Sequence, residues 1–134
     1  MLKMVDVERE CLKFTWEIIS RFMDRREYGR SALRYSRRAG TMILSDGLPA
    51  TLAFAYSKAK REEAWKEVSD CIVRWLYKRG LIKHTFSMGK EVSLEVFKEL
   101  SEMENWKILM AEKEATRVLN WLAKLCEGEF GEES

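Results

Sequence analysis

The sequence predicts an all-α protein, a single-domain bundle of about six helices. Apolar residues recur at three- and four-residue spacing through most of the chain, as on one face of an α-helix, and no segment has the alternating pattern of a β-strand. Short connections marked by glycine join the helical segments, which is typical of helix bundles. With 134 residues, of which 46% are hydrophobic, the chain is long enough to build one core.

The first two helices are predicted over residues 3–26 and Tyr28–Ser45, with Tyr28-Gly29 interpreted as the corner between them. On a wheel of 3.6 residues per turn, the second helix has an apolar side and an arginine side. The apolar side is made of Tyr28, Ala32, Tyr35, Ala39, Met42 and Ile43. The arginine side is made of Arg30, Arg34, Arg37 and Arg38.

The turn Asp46-Gly47-Leu48-Pro49 predicts that one helix ends and another begins at once. Glycine adopts backbone conformations that close a helix, and Leu48 follows where an apolar contact often accompanies such a closure. Proline suits the first turn of a helix because its missing N–H would be unpaired there. The third helix is therefore predicted over Thr51–Ala59. It is small and apolar and is followed by basic residues.

The remaining helices are predicted over Glu62–Lys78, Leu94–Ser101 and Glu104–Cys126. Residues 82–92 have no periodicity and are predicted to form a loop that contains His84. Gly128 is expected to close the last helix. The sequence thus predicts one helical domain over residues 1–127 and a frayed, acidic C-terminal tail over 128–134.

Positive charge is concentrated in one part of the chain. Residues 21–38 hold seven arginines and two acidic residues, a net charge of +5, whereas the whole chain is at +2. Arginine forms bidentate contacts with phosphate and stacks on exposed bases, so an arginine row on one helix face favours a nucleic-acid partner. A second basic cluster, Lys58, Lys60 and Arg61, follows the third helix. The alternative interpretation is an ordinary solvated face with paired arginines.

No catalytic or metal-binding motif is present, so the chain is not expected to be an enzyme or to need a cofactor. Cys11, Cys71 and Cys126 are widely spaced and are predicted to be buried as hydrophobic side chains. His84 is predicted to be an exposed loop histidine without a partner acid. Acidic residues such as Glu112 and Glu114 are assigned to pairing with lysines four residues away. No apolar run has the length of a membrane span, and a cytoplasmic location is expected.

Two segments resemble a known family. MILSDGLPATLAFAYSKAK (residues 42–60) and AEKEATRVLNWLAKLCEGEF (residues 111–130) are similar to segments of the small subunit of the type III-B CRISPR–Cas effector, the Cmr complex. The resemblance extends to length, helical content and a basic early region. The chain departs from the family pattern at Trp106-Lys107, where a tyrosine-arginine pair is expected.

The resemblance implies a subunit that stacks in several copies along the backbone subunit that holds the guide RNA. It implies that the small subunit lines the groove for target RNA without being the nuclease, in a role in antiviral defence. A basic face would then contact phosphates without reading sequence. The residues assigned to RNA contact are Arg30, Arg34, Arg37, Arg38, Lys58 and Lys60.

Two other interpretations stay open. A helix-turn-helix DNA-binding protein would use residues 62–101, although its recognition helix, Ser93–Ser101, holds one lysine against two glutamates. A protein-only adaptor would dimerise through apolar helix faces, for which five tryptophans offer interface residues. Sequence-preferring duplex binding would support the first, and a stable dimer that ignores RNA would support the second.

Overall fold

The longest two helices pack against each other along their length and organise the bundle. The computed structural model describes residues 3–88, 91–92 and 94–131, and these residues form six α-helices, which confirms the all-α prediction. The helices are α1 (Lys3–Ser20), α2 (Arg26–Asp46), α3 (Leu48–Lys58), α4 (Glu63–Lys78), α5 (Glu95–Ser101) and α6 (Asn105–Phe130). A two-residue antiparallel pair, β1 (Ser87–Met88) with β2 (Glu91–Val92), lies in the segment predicted as a loop. Strands this short leave no alternating pattern in a sequence.

Helices α2 and α6 are antiparallel. The start of α2 meets the end of α6 at Gly29 and Phe130, and α3, which follows α2 directly, begins beside Glu112. Helices α1, α3 and α4 also contact α6, so its buried face lies at the centre of the core. Small side chains such as Ala111 and Ala115 are fully buried on this face, and they allow the neighbouring helices to approach closely.

The corner between α1 and α2 lies at Arg21–Arg25, so the prediction of a corner at Tyr28-Gly29 is wrong. Gly29 is a buried residue inside α2. A Cβ atom added to it would lie 2.3 Å from Cδ2 of Phe130. Glycine is therefore needed at position 29 because any larger side chain would overlap the aromatic ring of Phe130, and not because the chain turns there.

The last helix continues past Gly128, so the prediction of a frayed tail is wrong for residues 128–130. Phe130 is 1% exposed, and its ring stacks on Phe22 with centroids 5.8 Å apart. The apolar ring gains more from burial than the exposed Gly128 costs in helix propensity. Residues 132–134 of the predicted tail lie outside the described residues.

The predicted corner at Gly47 is confirmed. Gly47 has φ +89° and ψ 165°, a backbone region that is essentially restricted to glycine. Its N–H donates to the carbonyl of Ile43 at 3.0 Å, which closes α2. The N–H of Leu48 donates to Oε2 of Glu112 at 2.9 Å, so a side chain of α6 caps the start of α3. Pro49 lies in the first turn of α3, as predicted.

Replacing Gly47 by alanine is expected to destabilise the protein by about 1–3 kcal/mol, because an L side chain rarely adopts this conformation. Gly40, inside α2, is the matched control, since an added Cβ there meets nothing within 4 Å. G40A should stabilise the protein by about 0.5–1 kcal/mol through higher helix propensity. Denaturant unfolding measures both. Equal effects of the two substitutions would contradict a strained corner at Gly47.

The three cysteines are free thiols with no exposed surface, which confirms the prediction that they are buried. Burial raises the pKa of Cys11 and of Cys126 from 9.0 to about 12. Burial also raises the pKa of Cys71. The thiols therefore stay protonated at neutral pH and act as small apolar side chains. Among the described residues, no helix combines the length and the apolar run needed to span a membrane.

Candidate nucleic-acid interface

The fold turns the arginine side of α2 outward. The opposite side of α2 is buried against α4 and α6 through Ala32, Leu33, Ser36, Ala39 and Ile43. Arg34, Arg37 and Arg38 are consequently exposed, and Arg30 is half-buried. The six predicted contact residues do not form one uniform face, however, because tertiary contacts divide them.

Arg30 and Arg37 are held by the end of α6. The Nε of Arg30 donates to the carbonyl oxygen of Phe130 at 3.1 Å, and its Nη1 donates to Glu27 at 3.2 Å. Arg37 forms an ion pair with Glu127. Cations are favourable beside the unpaired carbonyls of a helix C-terminus, so these two arginines help to fix the end of α6. Part of their hydrogen-bonding capacity is therefore already used.

Arg34, Arg38 and Lys58 gather over aromatic side chains. The Cζ of Arg38 and the Nζ of Lys58 lie 5.1 and 5.6 Å from the centroid of the same ring, Phe54. The Cζ of Arg34 lies 5.7 Å from the centroid of Tyr35. In the described part of the chain, none of these three cations forms an ion pair with a carboxylate. We call Arg34, Arg38 and Lys58 the basic cluster.

A layer of aromatic rings supports the basic cluster. Tyr35 stacks on Trp65 with centroids 4.6 Å apart, and Phe54 contacts Trp65 edge-on at 5.3 Å. Trp65 is almost fully buried, so the layer joins α2, α3 and α4 at one point. The hydroxyl of Tyr35 donates to Glu62, and this hydrogen bond is the main reason why the pKa of Tyr35 is raised. The cations therefore lie over a layer of packed aromatic rings.

Lys60 lies apart from this layer. It is exposed in the turn after α3 and lines a surface cavity of about 160 Å³ together with Tyr56, Lys66 and Asp70. Burial raises the pKa of Asp70. Lys60 thus extends the positive surface beyond the basic cluster toward α4, without a direct contact to the Phe54 ring.

The structure corrects the interpretation of His84. Its Nδ1 lies 2.9 Å from Oε1 of Glu99, so the histidine has a partner acid and is half-buried. Glu99 also accepts the backbone N–H of Lys83 at 2.8 Å, which ties this segment to α5. The surrounding cavity of about 360 Å³ is lined by charged residues and Met103, without a serine, threonine or cysteine among the described residues. His84 and Glu99 are 15 residues apart, so no local sequence pattern predicts that they pair.

The pairing predicted for Glu112 and Glu114 is also wrong. Glu112 caps α3, and Glu114 is 9% exposed. Glu114 accepts hydrogen bonds from Nε1 of Trp75 at 3.0 Å and from Nε of Arg117 at 3.1 Å. Arg117 also pairs with Glu8, so a partly buried network joins α1, α4 and α6. A glutamate on the core side of a helix was the signal in the sequence that could have identified this network.

Comparison with known families gives one result. The family model described as CRISPR-associated protein (Cas_Cmr5) matches residues 7–129. The matched range includes all six predicted contact residues and the helices that carry them. It also includes both segments, apart from Phe130, on which the resemblance was based.

Proposed function

Because the chain belongs to the Cas_Cmr5 family of CRISPR-associated proteins, we propose that it is the non-catalytic, RNA-contacting small subunit of a type III-B Cmr effector. In this proposal, several copies stack along the backbone subunit that holds the guide RNA, and a basic surface contacts the guide or target RNA. The proposal includes a cytoplasmic location and a role in antiviral defence, as the resemblance implies.

The observation that carries the RNA contact is the basic cluster. Three cations from two helices lie together on the outside of the bundle without carboxylate partners among the described residues. Guanidinium and ammonium groups are donors only, and phosphate oxygens are acceptors only, so the chemistries are complementary. Where base pairing supplies specificity, the protein needs contacts to phosphate and not to base edges. Arg30 and Arg37 would contribute at the border of this surface, and Lys60 beyond it.

Exposed apolar side chains support contact between copies. Trp106, Leu109 and Met110 form an exposed stripe at the start of α6, and Trp16 is exposed on α1. The end of α1 lies toward the end of α6, because Phe22 stacks on Phe130. Trp16, near the end of α1, thus lies toward the opposite end of the bundle from the exposed stripe. Different patches that contact each other between copies generate a head-to-tail array.

The side chains themselves support a non-catalytic role. The three thiols are buried and protonated, and the cavity beside His84 is lined by no serine, threonine or cysteine among the described residues. The proposal therefore assigns RNA contact and assembly to this chain and leaves cleavage to the backbone subunit.

The helix-turn-helix alternative is less favoured by the structure. Helix α5 has seven residues, and Val96 and Leu100 bury one side of it. A recognition helix needs basic and hydrogen-bonding side chains along its exposed side, and α5 offers a single lysine. The adaptor alternative relies on the same apolar stripe that supports stacking, and the oligomeric state without RNA distinguishes the two.

A reconstitution tests the proposal. Guide RNA and the other effector subunits are assembled with and without this chain, and target RNA affinity is measured across a salt series. We expect several copies to join the complex, tighter binding, and a steeper dependence of affinity on salt, because additional phosphates are contacted. If the chain does not join the complex, or joins it without a change in affinity, the proposed role is wrong.

A further inference from the structure

Phe54 occupies a particular place in the basic cluster. Its ring is the common neighbour of Arg38, which comes from α2, and of Lys58, the last residue of α3. Both cationic groups lie within the distance at which an aromatic face attracts a positive charge. The ring itself is held edge-on against the buried Trp65.

We propose that Phe54 is a positioning residue that holds Arg38 and Lys58 together, so that both cations bind one stretch of phosphodiester backbone. This inference rests on the proposed RNA contact. Two like charges at one point repel each other, and the negative face of the ring offsets part of that repulsion before a phosphate arrives. Long basic side chains also lose conformational freedom on binding, and a side chain that is already placed loses less.

The same geometry identifies the backbone, and not the base, as the bound group. The two cations and the edge-on contact with Trp65 occupy the surroundings of the half-buried ring, so it is poorly placed to stack on a base. The Tyr35 hydroxyl, a neighbouring group that could donate a hydrogen bond to a base, already donates to Glu62. The basic cluster thus presents donors and positive charge, which fit phosphate oxygens in RNA of any sequence.

The experiment measures target RNA affinity of the assembled effector, at several salt concentrations, for F54L, F54Y, R38Q/K58Q and the triple variant F54L/R38Q/K58Q. We expect F54L to lower affinity about 3- to 10-fold, because Arg38 and Lys58 would then lose conformational freedom when the phosphate binds. F54Y should bind like the wild type because the aromatic face is kept. F54L should add nothing in the R38Q/K58Q background, since its effect acts through those two cations.

The matched control is Phe97→Leu in α5. Phe97 is also half-buried and packs on Tyr56 and Phe86, and among the described residues no cation lies over its ring. F97L should lower thermal stability to a similar extent as F54L and leave RNA affinity and its salt dependence unchanged. If F97L lowers RNA affinity as much as F54L does, the effect of F54L is explained by reduced stability and the inference is wrong.

Other outcomes separate this inference from the proposed function. If R38Q/K58Q weakens binding and F54L does not, the positioning role is wrong and the RNA contact stands. If the triple variant binds more weakly than R38Q/K58Q, or if the effect of F54L differs between guide–target pairs of different base composition, Phe54 contacts bases and the inference is wrong. If R38Q/K58Q binds like the wild type, both the inference and the assigned RNA contact are wrong.

Discussion

Replacing Arg34 and Arg38 by glutamate is expected to lower target RNA affinity of the assembled effector on the order of 10-fold or more. Each phosphate contact to a single strand contributes about 0.7 to the slope of log affinity against log salt, so the loss of two contacts should lower that slope by about 1.4 per copy. Both arginines are exposed and have no ion-pair partner among the described residues, so reversing them breaks no salt bridge there. The measurement is a binding titration at several salt concentrations.

The control reverses the same number of charges elsewhere. Arg9 and Lys13 are exposed residues one turn apart on α1. R9E/K13E therefore changes the net charge as R34E/R38E does, without touching the basic cluster. We expect its salt slope to match the wild type. If the two double variants lose affinity equally, net charge explains the effect and the basic cluster is not a contact site. If R34E/R38E binds like the wild type at every salt concentration, the RNA assignment is wrong.

Replacing Phe130 by alanine is expected to destabilise the protein by about 3–5 kcal/mol, a typical cost of truncating a buried phenylalanine. The side chain is 1% exposed and fills the space between α2 and the end of α1. A domain is stable by only about 5–15 kcal/mol, so this loss is a large part of the whole. Denaturant unfolding measures it. A cost below about 1 kcal/mol would contradict the burial of Phe130 and support the frayed tail.

Gly29 provides a sharper test of the same contact. In the wild type, G29A should destabilise the protein by about 1–3 kcal/mol, because the new methyl group overlaps the Phe130 ring. In the F130A background the overlap is gone, and G29A should stabilise by about 0.5–1 kcal/mol through helix propensity. The change of sign identifies the contact. G40A is the control and should stabilise in both backgrounds, whereas additive effects of G29A and F130A would argue against the overlap.

Much of the fold follows from local patterns. Helical periodicity predicts the helices, and Gly47 with Pro49 fixes the corner between α2 and α3 because that chemistry acts over a few residues. The errors fall where a local signal has a distant cause. Gly29 resembles a turn residue, but it is required because the ring of Phe130, 101 positions later in the chain, packs against it. Gly128 resembles the end of a helix, but α6 continues past it because Phe130 is buried.

The candidate nucleic-acid interface was likewise predictable from the sequence only in part. Local sequence patterns are enough to predict that the chain is helical and that one side of α2 is positive, because both properties follow from residue type and a period of 3.6 residues. Which of those charges are available to a ligand depends on contacts between helices. Arg37 is occupied by Glu127, 90 positions away, whereas Arg38 meets Lys58 over Phe54 on another helix. Pairing of charges depends on distances between helices, and these are set by packing of the core and not by any pattern along the chain.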